Sequence, residues 1–195
     1  LVDEAIDELE LYRRMANSHD PQLAKAVKTL DALARLRQSK QPPPAEGRRD
    51  PAKAAAHAKE GDRAAAARSW PRAEKAYRDA LAADPQSAAA AFGLGTALLA
   101  GRSGKARALE AFIQAATLNP GHADAHYQGA LVALDLKKYP EAARLLHRAA
   151  ARWPERDGFF ALLMTLRSAE GNLAGARAYG EYYLQIAPPG EQRGR

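Results

Sequence analysis

Apolar residues recur at helical spacing along nearly the whole chain, in ten stretches separated by short polar or proline-bearing breaks. In residues 2–17, Val2, Ile6 and Leu9 share one face, with Tyr12 and Met15 close to it. Ser18-His19-Asp20-Pro21 interrupts the pattern. Asp20 can cap a new helix, and Pro21 suits its first turn, where no amide hydrogen is needed. That second helix carries Leu23, Val27, Leu30 and Ala34 on a stripe widened by Leu33 and Leu36. Residues 1–38 therefore read as a helical hairpin. Pro42-Pro43-Pro44 then forbids helix, and residues 39–50 read as a stiff linker.

From Asp50-Pro51 onward the pattern becomes regular. Helices are expected from Pro51 to about Ala67 and from Trp70 to about Ala83. Further pairs are expected at 87–101 and 104–117, at 122–136 and 139–152, and at 156–169 and 172–186. Prolines close the pairs at Pro85, Pro120, Pro154 and Pro188. The gaps are 35 (120 − 85), 34 (154 − 120) and 34 (188 − 154). A fixed period near 34 residues is the length of one helix–turn–helix repeat in an array. The extra residue of the second unit is most simply placed in the turn Ala100-Gly101-Arg102-Ser103-Gly104.

Aligned on those prolines, the units resemble tetratricopeptide repeats, whose pattern is W-x2-L-G-x2-Y, then A-x3-F, then P. The first unit supplies Gly61 and Ala64, then Ala73, Tyr77 and Pro85. The second supplies Leu94, Gly95 and Leu98, then Ala108, Phe112 and Pro120. The third supplies Gly129, Ala130 and Ala133, then Ala142, Leu146 and Pro154. The fourth has Leu163, Met164, Ala176 and Pro188, but Arg167 replaces an aromatic and Gly180 a large side chain. The first and third carry His57 and His126 where tryptophan is usual. The last unit is expected to be the loosest. The resemblance implies an all-α fold, a right-handed α-solenoid of about four such helix pairs after the hairpin. It covers residues 51–190, as units 54–87, 88–122, 123–156 and 157–190, with a flexible tail at 191–195.

In the resembled family the first helix of each pair lines a concave face that takes peptides. Carried over, the binding positions are Phe92, Thr96 and Leu99 in the second unit, Tyr127 and Leu131 in the third, and Thr165 in the fourth. Phe92 and Tyr127 also suit ordinary packing between repeats. One subtype grips acidic chaperone tails with a clamp of Lys, Asn and Arg. The matching positions here hold Ala58, Asp62, Gly93, Asp124 and Gln128, so that role is disfavoured. The N-terminal hairpin is a further candidate occupant of the groove. Near the end of the last helix, Tyr179, Tyr182, Tyr183 and Leu184 form a candidate self-association surface, which makes a homo-oligomer an expected state.

Charge and composition narrow the partners. The formal charge is +6, but the basic residues are spread along the chain and no aromatic stacking motif accompanies them. A nucleic-acid partner is not expected. With no cysteine, disulfides, zinc ribbons and thiol catalysis are out. No apolar run is long enough to span a bilayer. The acidic Leu-Val-Asp-Glu start is unlike a signal peptide. The cytoplasm is the expected compartment, or the periplasm if a signal preceded position 1. Gly101-Arg102-Ser103-Gly104-Lys105 has Ala106 where a phosphate loop needs Ser or Thr. His122 and His126 are four apart, but His122 is expected to precede its helix, so no metal site is read.

No catalytic residue and no cofactor are expected. The reading is a noncatalytic scaffold that binds a protein or peptide partner. Two alternatives stand beside it. One is a chaperone for a partner protein, since the second and third units look loosely similar to type III secretion chaperones. The other is an accessory repeat module of a larger export or transferase machine.

Overall fold

The computed structural model describes residues 2–16, 20, 22–40, 49–102 and 104–186. The proline-rich stretch at 41–48, Ser103 and the end from 187, with Pro188 and the expected tail, lie outside the described residues. Ten α-helices and no strand are found among the described residues: α1 Val2–Met15, α2 Leu23–Lys40, α3 Pro51–Ala66, α4 Trp70–Ala83 and α5 Ala88–Ala100, then α6 Lys105–Leu118, α7 Ala123–Asp135, α8 Tyr139–Arg152, α9 Asp157–Ala169 and α10 Leu173–Ile186. The expected all-α class of paired helices holds, and most helix ends fall within a residue or two of their expected places.

The ends are set by side chains that satisfy the exposed amides of a first turn. Asp20 accepts from the Gln22 amide across 2.9 Å, ahead of α2. Asp50 accepts from the Lys53 amide across 2.9 Å, with Pro51 behind it. Ser87 caps α5 and Asn172 caps α10 in the same manner. His122 accepts through Nδ1 from the Ala125 amide, so it stands before α7 as a cap and shares no helix face with His126.

The turns inside the pairs carry their own repeat. Arg68, Arg102 and Lys137 adopt φ of 55°, 56° and 57°, and Gly171 takes φ 76° at the corresponding turn of the last pair. The spacings are 34, 35 and 34. Helix α6 starts 35 residues after α4, whereas Arg102 follows Arg68 by 34. The extra residue of the second pair therefore lies between Arg102 and Lys105.

The chain divides into two compact units. The central unit, residues 45–138, holds α3 to α7. Each helix there packs on its successor, and α3 also reaches α5. Each pair thus leans on the next, the arrangement of a helical solenoid. Ala73 and Ala108 are wholly buried where the paired helices cross, and Tyr77 and Phe112 one turn later are buried too. Small side chains let the backbones approach, and glycine carries this furthest. The Tyr77 ring lies between Gly61 of its own pair and Gly93 of the next, and the Phe112 ring lies against Gly95.

The other unit brings α1 and α2 together with α8, α9 and α10. The N-terminal hairpin is not a free appendage. Helix α1 packs on α8 and buries Ile6 and Leu11. Ala142, Leu146 and Ala149 of α8 are fully buried, as are Phe160 and Leu163 of α9. Of α10 only Ala176 is buried among the described residues, whereas its partner α9 buries Phe159, Phe160, Leu163 and Leu166.

Candidate functional site

The expected binding positions of the central unit lie on α5 and α7. Phe92, Thr96 and Leu99 follow one another at intervals of four and three, so they line one stripe of α5. Tyr127 and Leu131 do the same on α7. Phe92, Leu99 and Tyr127 are half-buried, Thr96 is exposed, and Leu131 is 36% exposed. Phe92 is well held. Its ring lies 5.6 Å from that of Phe112 and 4.4 Å from that of His122, centre to centre. It is therefore half-buried against these neighbours and offers only part of itself to a ligand. Thr96 donates to the Phe92 carbonyl across 3.1 Å. Thr165, on α9 in the other unit, is exposed and donates likewise to Ala161 across 2.9 Å.

Two of the positions that match the chaperone-tail clamp engage Tyr77. The Tyr77 hydroxyl donates to Asp62 across 2.7 Å, and Gly93 forms one wall of the Tyr77 slot. Burial first, then the bond to Asp62 and its charge, push the Tyr77 phenol well above its ordinary value.

A second cluster joins the hairpin to the last pair. Glu8 of α1 lies 3.5 Å from Nδ1 of buried His147 on α8 and 3.7 Å from the Arg167 guanidinium on α9. Arg167 also donates to Glu170 across 3.0 Å. The Tyr179 hydroxyl sits 3.4 Å from Nε2 of His147. Burial raises the Tyr179 phenol above its usual value, and nearby Arg167 works against that rise. Two clefts of about 490 and 410 Å3 share Glu8, Tyr12, Arg167 and Tyr179 in their walls. The arginine that breaks the repeat pattern thus faces the hairpin. The pairing of Glu8 with Arg167 is one the sequence could not announce, because it is non-local and leaves no periodic trace. Thr165 lines neither cleft, so the hairpin docks on α8, Arg167 and Tyr179 rather than on the expected binding position of this unit.

The candidate self-association residues divide. Tyr179 faces His147, and the Tyr182 ring lies 4.5 Å from that of Phe160. Tyr183 is half-buried, whereas Leu184 is 55% exposed. Leu173, which sequence reasoning did not single out, is 74% exposed.

Two family models match the sequence. One, described as anaphase-promoting complex, cyclosome, subunit 3, covers residues 66–149. The other, described as tetratricopeptide repeat, covers residues 127–191. The chain carries tetratricopeptide repeats. No curated protein matches it. Among solved structures, the repeat chain is similar to MamA, with a TM-score of 0.62 at 19% identity, over 87% of this chain and 96% of that one. MamA from Desulfovibrio magneticus RS-1 gives 0.60 at 21%, over 70% and 76%. YrrB, described as a TPR protein with an unusual peptide-binding site, gives 0.61 at 18%, over 96% and 87%. At these identities the likeness is one of fold. Among the described residues, no helix of the repeat chain is long and apolar enough to cross a membrane.

Proposed function

We propose that this chain is a noncatalytic scaffold that binds a peptide or amphipathic helix along the exposed stripes of α5 and α7. The observation that carries the reading is Leu131. It is a large apolar side chain, 36% exposed, one helical turn from half-buried Tyr127. Phe92, Thr96 and Leu99 supply a matching stripe on α5. In the other unit, taken by itself, Thr165 holds the position in α9 that Thr96 holds in α5. An amphipathic helix presents anchors at such intervals. The fold shared with YrrB, a repeat protein with a peptide-binding site, supports the class of ligand.

The magnitude follows from the anchors. Three apolar side chains contribute roughly 1.5–3 kcal/mol each when fully covered. Lost translational freedom and side-chain ordering cost several kcal/mol. The balance is weak to micromolar binding.

The test is a peptide-display selection on the full chain, followed by titration of the selected peptides. Leu131→Lys changes an exposed position and leaves the fold intact, so it is expected to weaken binding at least about tenfold with no change in Tm. Phe92→Ala weakens binding and lowers Tm together, because Phe92 also packs on Phe112 and His122. Peptides that bind Leu131→Lys as tightly as wild type overturn the proposal.

A further inference from the structure

Among the described residues, two large apolar side chains are more than half exposed, Leu173 at 74% and Leu184 at 55%, and both lie on α10. They are eleven residues apart (184 − 173), which is three helical turns plus about 20°. They therefore fall on one line along the helix, one near each end. Between them stand Arg177 and Glu181, whose side chains are 82% and 60% exposed and are joined across 2.7 Å. Exposed Ala174 and Ala178 flank the stripe and admit a close neighbour. The near end is firmly placed, since Asn172 accepts from the Gly175 amide across 2.9 Å and fixes the first turn that carries Leu173.

Along the helix the stripe reads Leu, Arg, Glu, Leu. A second α10 laid antiparallel presents Leu, Glu, Arg, Leu, so each leucine meets a leucine and each arginine a glutamate. The register agrees as well. The leucine pair sums to 357 (173 + 184) and the charged pair to 358 (177 + 181). One twofold axis near residue 179 therefore satisfies both pairings. A twofold contact requires this self-complementarity, in which a residue i that meets j is matched by j meeting i.

We propose that this face of α10 is a homodimer contact, occupied by the same face of a second copy in antiparallel register. It differs from the expected tyrosine surface, because Tyr179 and Tyr182 are turned toward His147 and Phe160. Of that set Leu184 stays, and Leu173 joins it. The contact is small. Fourteen residues of helix span about 21 Å, and one helix pair falls well below the roughly 1,200 Å2 of a stable interface. The dimer is therefore weak and concentration-dependent.

Sedimentation equilibrium of the full chain tests this. The wild-type mass is expected to rise from 21.0 kDa toward twice that value as concentration approaches roughly 1 mM. Arg177→Glu and Glu181→Arg each set like charges across the axis and are expected to weaken association at least about tenfold. Both positions are exposed, so both variants fold, which circular dichroism checks. An equimolar mixture of the two variants is expected to associate again, because each then offers the charge the other lacks. Three results overturn the proposal: a wild type that stays monomeric, self-association that neither variant weakens, or a mixture that stays as weak as the single variants.

Discussion

The Tyr77 ring occupies the space that a side chain at Gly93 would need. A Cβ built at Gly93 falls inside van der Waals contact with that ring, and one at Gly61 on its other side lies 2.6 Å from it. The ring of α4 is thus held in a slot cut from two helices, one of its own pair and one of the next. The slot couples the first pair to the second through a single side chain. It leaves no space for a side chain at Gly93, while exposed Asp62 is engaged by the Tyr77 hydroxyl.

Gly93→Ala is expected to destabilise the chain, although alanine is ordinarily the better helix former by about 1 kcal/mol. The ring cannot swing aside, because Gly61 closes the far wall. Overpacking of this type costs about 1–3 kcal/mol. Gly180→Ala is the contrasting case. Its Cβ would meet only the Met164 sulfur, 3.3 Å away, at the end of a flexible and exposed side chain. Here the helical gain is expected to survive, at about 0.5–1 kcal/mol. Urea unfolding of both variants gives the two signs.

The hydrogen bond from Tyr77 to Asp62 makes a pH-dependent contribution. Burial and Asp62 hold the phenol proton more tightly in the folded chain than in the unfolded one. The folded value lies above the unfolded value near 10. Stability from this group is therefore whole below about pH 10 and falls as pH climbs through the folded value. Tyr77→Phe is expected to cost about 0.5–1.5 kcal/mol at neutral pH and to flatten the loss of stability above pH 10. Unfolding curves collected from pH 8 to 11, with and without the substitution, check both points.

The features legible in the sequence are those fixed by short-range rules. Asp50-Pro51 and Trp70-Pro71 marked the starts of α3 and α4, because caps and prolines act within one turn. Ala73, Ala108 and Ala142 were legible as crossing points, since the repeat sets them at one place in every unit. The left-handed turn at Arg68, Arg102 and Lys137 leaves no mark in the sequence, because no glycine stands at those positions. The partner of Arg167 was illegible for another reason. Glu8 lies far away in sequence, and only tertiary packing brings the two together. The direction of the α10 tyrosines was hidden likewise. On a helix with small residues on several sides, the apolar pattern does not say which face turns inward.

The hairpin is expected to be held by its apolar side chains rather than by its charges. Glu8 is more than half exposed, and ion pairs of that exposure contribute about 0–1 kcal/mol. Leu11 is buried, and its truncation to alanine costs about 2–5 kcal/mol. Hydrogen exchange of the α1 amides is the measurement. Leu11→Ala is expected to speed it by at least about thirtyfold, and Glu8→Gln by no more than about fivefold.

The repeated turn gives a final pair of opposite effects. A non-glycine residue in the left-handed region costs roughly 1–2 kcal/mol, because its Cβ crowds the following carbonyl. Arg68, exposed and at φ 55°, bears that cost, whereas Gly171, at φ 76°, avoids it. Arg68→Gly is expected to stabilise the chain by less than the full strain, about 0.5 kcal/mol, since glycine also loosens the unfolded state. Gly171→Ala is expected to destabilise it by about 1 kcal/mol, although open space surrounds the position and no atom stands in the way. Space and backbone conformation are thereby separated: Gly93 fails for want of room and Gly171 for want of a permitted φ. Differential scanning calorimetry of the two variants decides it, with Tm rising for Arg68→Gly and falling for Gly171→Ala.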